Sequence, residues 1–217
     1  MSSELEDLLD AYRGLLHLVG KEFNRNLQVY SGRMQCRRGC FSCCYQVFRI
    51  SLIDAAVISR AVKTLDPAAR IKLQAKARAY LQAKEALIRE RATKMGLEEE
   101  EAPTLGLRLP CPILEDGICT LYEARPLICR KFGMLIYDPK KPHRLWTCEL
   151  NFKDGEAVDA VELIKNQTEI SEQWDALKTR VHQRTGHPTG ATTIAEAILY
   201  DYEAFLEEAT GSLRLLN

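Results

Sequence analysis

The chain has no excess of either charge. Thirty Lys and Arg residues face 30 Asp and Glu, so the formal net charge is zero. A dedicated nucleic-acid binder carries a basic excess, and nucleic acid is not expected as a partner. No apolar run approaches the roughly 18 residues that span a bilayer, so no membrane partner is expected either. The opening residues Met1-Ser2-Ser3-Glu4-Leu5-Glu6-Asp7 are acidic, with no apolar stretch behind a basic start. That is unlike a secretory signal peptide, and the expected location is cytoplasmic. The chain also lacks a Gly-rich phosphate loop, a Ser-His-Asp set, a carboxylate pair of meaningful spacing, internal repeats and low-complexity segments.

The composition is that of a folded chain. Apolar residues make up 46% and charged residues 28%, which argues against disorder. A length of 217 residues suits a single domain, 1–217, with a real hydrophobic core. Apolar positions recur at three- and four-residue steps over residues 4–30, through Leu5, Leu8, Leu9, Tyr12, Leu15, Leu16, Val19 and Phe23. This predicts a helix that ends near Gly32. Val47 to Ile50 reads as a short extended piece. Ser51 with Asp54 reads as a capping box opening a helix over 52–65. Asp66-Pro67 opens another, since proline fits the first helical position; it runs to about Met95 with a thin apolar stripe. Residues 96–110 form a linker with a solvated acidic run, Glu98 to Glu101. Two helices close the chain. One spans 156–184, with Val161, Ile164, Trp174, Leu177 and Val181 available for packing. The other spans 193–209, with Ile194, Ile198, Tyr202 and Phe205.

Against this helical background stand eight cysteines: Cys36, Cys40, Cys43, Cys44, Cys111, Cys119, Cys129 and Cys148. In an oxidising compartment they allow 105 disulfide pairings. In a reducing one, clustered thiols hold metal or do redox work. Four of them fall within nine residues, interleaved by Arg37, Arg38 and Gly39, which is poor core sequence. The adjacent pair Cys43-Cys44 diverges on a helix or a strand and suggests two sites, a polynuclear cluster or a spare thiol. In the second block, Asp116-Gly117 between apolar residues signals a type I′ hairpin, which pairs Leu114 with Cys119. In an ideal hairpin Cys111 then lies on the face opposite Cys119. Either Pro112 distorts the strand, or the two serve different sites. Eight thiolates suit two four-coordinate zinc ions, or an iron–sulfur cluster with one zinc. No spacing reproduces the ferredoxin runs. Cys40-Phe41-Ser42-Cys43 is a C-x-x-C without the βαβ surroundings of a thioredoxin-like protein.

The first block, Cys36-x3-Cys40-x2-Cys43-Cys44, resembles the signature of the bacterial zinc- or iron-chelating cysteine-cluster family of the YkgJ type. The second block resembles it more fully. It reads Cys111-Pro112-x-Leu114-x-x-Gly117-x-Cys119-x-x-Tyr122-x-x-Arg125-Pro126-x-x-Cys129-Arg130. The resemblance covers residues 33–150 and leaves the N-terminal helix, the 67–95 helix and the C-terminal pair outside. It implies metal binding by the seven cysteines other than Cys148, which fits the pattern least closely. It implies little about a reaction.

The expected fold is mainly α: helices 4–30 and 156–209 flank an irregular cysteine-rich metal-binding core, 33–150, that contains a short hairpin. Arg125, Arg130, Lys131, Arg37 and Arg38 are candidates to balance thiolate charge. Tyr122 is expected to pack in the hairpin. Of the histidines, His143 is an alternative ligand, His17 a surface residue, and His182 and His187 lie outside the cysteine region. Two functions remain open. One is a metal-binding module, with zinc or else iron, that delivers metal or binds a protein partner. The other is an enzyme or redox protein with an iron–sulfur or open metal site.

Overall fold

The computed structural model describes residues 3–37, 39–155, 158, 160–187, 192–208 and 212–216. Helix α1 (Ser3–Val29) carries the fully buried side chains of Leu5, Leu8, Leu9, Tyr12, Leu15 and Val19 along one face. It packs on α5 (Ala160–Thr185) and on the short α4 (Leu127–Lys131). Helix α2 (Leu52–Lys63) is buried nearly all round and packs against α6 (Ile194–Leu199) and α7 (Tyr202–Glu208). Helix α3 (Pro67–Met95) is largely solvated; its buried residues are Leu73, Gln74, Ala77 and Ala92. No described helix is long and apolar enough to cross a membrane.

The local signals act as expected at the first three helices. The Ser51 hydroxyl accepts from the Asp54 amide, and the Asp54 carboxylate accepts from the Ser51 amide at 3.0 Å. Asp66 caps α3 by accepting from the Ala69 amide at 3.0 Å. Gly32 and Gly96 take the left-handed conformation, φ 84° and 66°, that stops α1 and α3.

Three expectations change. The last helix is two helices. Tyr200 is extended and bridges Leu215, and the Asp201 amide donates to the Arg214 carbonyl. Asp201 then restarts the chain by accepting from the Ala204 amide at 3.0 Å. Its carboxylate also binds Lys63, as Glu203 binds Arg60 and Lys63, which ties α7 to α2. On α5 the buried face is Leu163, Gln167, Ile170, Leu177 and Val181, whereas Val161 is 79% and Ile164 38% exposed. Those two fall one residue off the 3.6-residue series. The Val47–Ile50 segment forms no strand beyond single bridges, Gln46 to Arg108 and Ile50 to Thr192. The expected ends of the last two helices, Glu156 and Ala209, lie outside the described residues.

Candidate metal centre

The cysteines sit in the irregular middle of the chain. After α1, the described residues of 34–41 run without regular structure into a 3-10 turn, Ser42–Tyr45, which carries Cys43 and Cys44. Successive side chains on a 3-10 turn diverge by about 120°, yet the two thiols stay close enough for a side-chain hydrogen bond between Cys43 and Cys44. The first block is stitched to the second by main chain. The Leu109 amide donates to the Tyr45 carbonyl at 2.9 Å, and the Cys111 amide to the Cys44 carbonyl at 2.7 Å. Blocks about 65 residues apart in sequence thereby share one wall.

The hairpin has the expected register. Strands β1 (Leu114–Glu115) and β2 (Ile118–Cys119) pair Leu114 with Cys119. Asp116 and Gly117 turn with φ 50° and 76°, the double left-handed geometry of a type I′ turn. Cys111 is not on the far face, because it is not in the strand. It opens a turn closed by the Leu114 amide on the Cys111 carbonyl at 2.9 Å, with Pro112 at the position that favours proline. Cys119 and Cys111 therefore face the same space.

Cys129 lies on α4. That helix begins where the Leu127 amide donates to Asp54 Oδ1 at 2.8 Å, beside the Tyr12 hydroxyl, which donates to the same oxygen. Cys148 follows a second hairpin, β3 (Ile136–Tyr137) with β4 (Leu145–Trp146), that sequence reasoning missed. Asn151 holds Cys148 in place. Its amide donates to the Cys148 carbonyl at 2.9 Å, and its buried side chain donates to the Gly133 carbonyl and accepts from the Gln35 amide at 2.7 Å. Asn151 thus clamps the loop of Cys36 to the loop of Cys148. Nothing in its sequence context marks it.

All eight cysteines line one cavity of about 790 Å³. Among the described residues, no carboxylate, imidazole or lysine lines it, and the charges on its wall are Arg37, Arg125 and Arg130. Lys131 and His143 are not among the lining residues; His143 is exposed on the loop between β3 and β4. Arg38 lies outside the described residues. Arg130 spends its guanidinium on the Arg125 carbonyl at 3.2 Å and the Glu123 carbonyl at 2.5 Å. Arg125 stacks over Tyr122, 3.5 Å from ring centroid to guanidinium carbon. Tyr122 itself is 53% exposed at the cavity mouth rather than packed in the hairpin. Soft sulfur donors without oxygen ligands fit zinc or iron–sulfur chemistry and not a hard cation. Among the described residues, no three His, Cys, Asp or Glu side chains are already drawn together as an ion's ligands.

Six of the thiols have their pKa raised. Burial first, then the charges of Cys40, Cys43 and Cys148, push Cys36 from the ordinary 9.0 up to about 11. Burial raises Cys111 to about 11 as well. It also raises Cys119, Cys129 and Cys148. Cys43 is raised by its contact with Cys44 and by burial. Arg125 opposes the rise at Cys36, Cys43 and Cys119. These directions set opposite pH trends for two forms of the protein. Without metal, folding binds protons more tightly than the open chain does. That contribution is full below 9.0 and is lost as pH climbs toward about 11. With metal, protons must leave for the ion to bind, so apparent affinity rises with pH over the same range. Melting temperatures of the two forms should therefore diverge as pH is raised from about 7 to 10; parallel curves would contradict this.

Gly133 is a second position that sequence reasoning missed. A β-carbon there would collide with Cys36 Sγ, lie 2.7 Å from Cys36 Cβ and 3.3 Å from Phe23 Cε2. Gly133→Ala is expected to displace Cys36 and to cost about 1–3 kcal/mol through overpacking. Thermal unfolding and metal content of the variant check this, and wild-type values for both would refute it.

Searches of curated proteins and of solved structures return no match. One family model, CxxCxxCC, described as a putative zinc- or iron-chelating domain, matches residues 35–149, more than half of the chain, and the protein belongs to that family.

Proposed function

We propose that the protein binds two zinc ions through its eight thiols, four to each. Cys36, Cys40, Cys43 and Cys148 hold one ion; Cys44, Cys111, Cys119 and Cys129 hold the other. The observation that carries this is the cavity lined by every cysteine and, among the described residues, by no His, Asp or Glu side chain. The partition follows the contacts. Asn151 ties the Cys36 loop to Cys148. The backbone bond from Cys111 to Cys44 joins the hairpin to the second thiol of the pair. Cys40 bears on both Cys36 and Cys148, whereas Cys111 and Cys119 bear on Cys129. Cys43 is felt by both groups, so the two ions are neighbours. Two tetrathiolate zinc sites carry about four excess negative charges. Arg37, Arg125 and Arg130 offset most of that, and no carboxylate competes for them within the cavity. The ions' role is to order the irregular middle of the chain and to make metal available to a partner.

A second reading draws on the same cavity. Thiols arriving from four separate segments around one large space also suit an iron–sulfur cluster.

Elemental analysis of protein purified without oxygen or chelator tests both. Two zinc ions per chain are expected, falling to one in Cys148→Ser and to one in Cys119→Ser, and staying at two in His143→Ala. Iron with acid-labile sulfide, or loss of all metal in either cysteine variant, would overturn the two-site reading.

A further inference from the structure

The cavity is larger than its metals require. A zinc ion draws its thiolates to about 2.3 Å, a coordination sphere of only about 50 Å³. The cavity holds about 790 Å³, within the roughly 300–1,000 Å³ of chambers that enclose small molecules. Its wall is also more than sulfur. Val19, Gly20, Phe23, Asn24 and Leu27 form one stripe of α1, spaced at turns of the helix, along the cavity. Phe48 and Phe132 meet edge to face there, with ring centroids 5.3 Å apart.

Two further features point to an occupant. The mouth is rimmed by Phe41, Ile118 and Tyr122, which are 42%, 62% and 53% exposed. Tyr80 of α3 lines the cavity close enough to Cys111 to feel its charge, and its hydroxyl makes no hydrogen bond among the described residues. An apolar rim, an apolar stripe and one free hydroxyl match a molecule with an apolar body and one polar head. In the zinc-loaded form proposed above, the three wall arginines face tetrathiolate sites that carry about four excess negative charges, which favours a neutral ligand over an anion.

We propose that the cysteine cavity is a ligand chamber as well as a metal site, and that it takes a small, neutral, largely apolar organic molecule whose single polar head meets Tyr80. This rests on the reading that the thiols hold metal, because the bound ions set how much of the cavity stays open. Asn24, on the same stripe, offers a second polar contact at the edge of the chamber.

Zinc-loaded full-length protein is titrated with 1-naphthol and with naphthalene, followed by fluorescence, and zinc is measured on the same samples. Saturable binding of one molecule per chain is expected for both. Gly20 is exposed at the solvent edge of the cavity, where a β-carbon would meet nothing within 4 Å; Gly20→Trp lays a large side chain across that edge without displacing a neighbour, and should weaken both probes by about tenfold or more while zinc content stays at the wild-type value. Tyr80→Phe should weaken 1-naphthol by about fivefold, one hydrogen bond, and leave naphthalene unchanged. No saturable binding to zinc-loaded protein, or binding indifferent to Gly20→Trp, overturns the chamber. Equal weakening of both probes by Tyr80→Phe, or loss of zinc from that variant, overturns the hydroxyl's part and assigns Tyr80 to supporting Cys111. Wild-type protein that holds no zinc contradicts the metal reading instead, and the chamber is then judged on the same probe titration.

Discussion

Stripping the metal is expected to lower the melting temperature sharply while leaving most of the helical circular-dichroism signal in place. The physical reason is where the apolar core lies. Leu5, Leu8, Leu9, Tyr12, Ile53, Ile58, Leu163, Ile198 and Leu206 are buried among α1, α2, α5, α6 and α7 without help from sulfur. The described residues of 33–50 and 108–155 hold two-residue strands, single bridges, two short 3-10 turns and a five-residue helix. Such segments bury little per residue, so their order depends on cross-links. A structural zinc site supplies on the order of 10 kcal/mol of apparent binding energy at neutral pH, and whatever binds only the folded state shifts its midpoint upward. Hydrogen exchange should show the loss at the amides of Cys111 and Asn151 first, with α2 still protected. An unchanged midpoint after chelation would rule out the structural role and favour a prebuilt site serving a reaction.

Asp54→Ala is expected to be the most damaging single substitution outside the cysteines. Asp54 is 3% exposed. It completes the capping box with Ser51, receives the Tyr12 hydroxyl, and receives the Leu127 amide that starts α4. Burial and the Asp54 charge raise the Tyr12 hydroxyl well above its ordinary value, so Tyr12 stays a donor. Truncation leaves the buried Tyr12 hydroxyl without its acceptor, leaves the Leu127 amide only its longer 3.2 Å bond to that hydroxyl, and removes a cap. Together these cost about 3–5 kcal/mol. For a chain of this size that is a fall in melting temperature of about 6–20 °C. Metal retention should weaken too, because α4 carries Cys129. Asp54→Asn keeps one acceptor oxygen and should lose less. A loss below about 1 kcal/mol for Asp54→Ala would show that Leu127 finds its start elsewhere.

Much of the scaffold was legible because it rests on neighbours in sequence. Ser51 and Asp54 are three residues apart, as are Asp66 and Ala69, and Asp116-Gly117 needs only its own left-handed backbone. The break at Tyr200 was not legible. It depends on Leu215 and Arg214 arriving from the chain's end and on Lys63 from α2. Val161 and Ile164 misled because an apolar residue at nearly the right spacing still lands on solvent when the helix face is offset by one residue.

The same division runs through the candidate site. The sequence by itself determined the chemistry: eight soft donors, two dense blocks, adjacent thiols that diverge, and arginines nearby to balance them. These follow from residue type and short spacing. Only the tertiary structure decided that the blocks share one cavity, because backbone bonds between residues 44 and 111, and between 45 and 109, act across the long excursion of α2 and α3. It likewise decided that Cys111 and Cys119 face the same side, through a turn at Pro112 that an ideal strand would not make. Asn151, Gly133, Gly20 and Tyr80 belong wholly to this second class. A clamp, a close approach, a space and an unused hydroxyl are relations between distant segments, and no local pattern of residues encodes them.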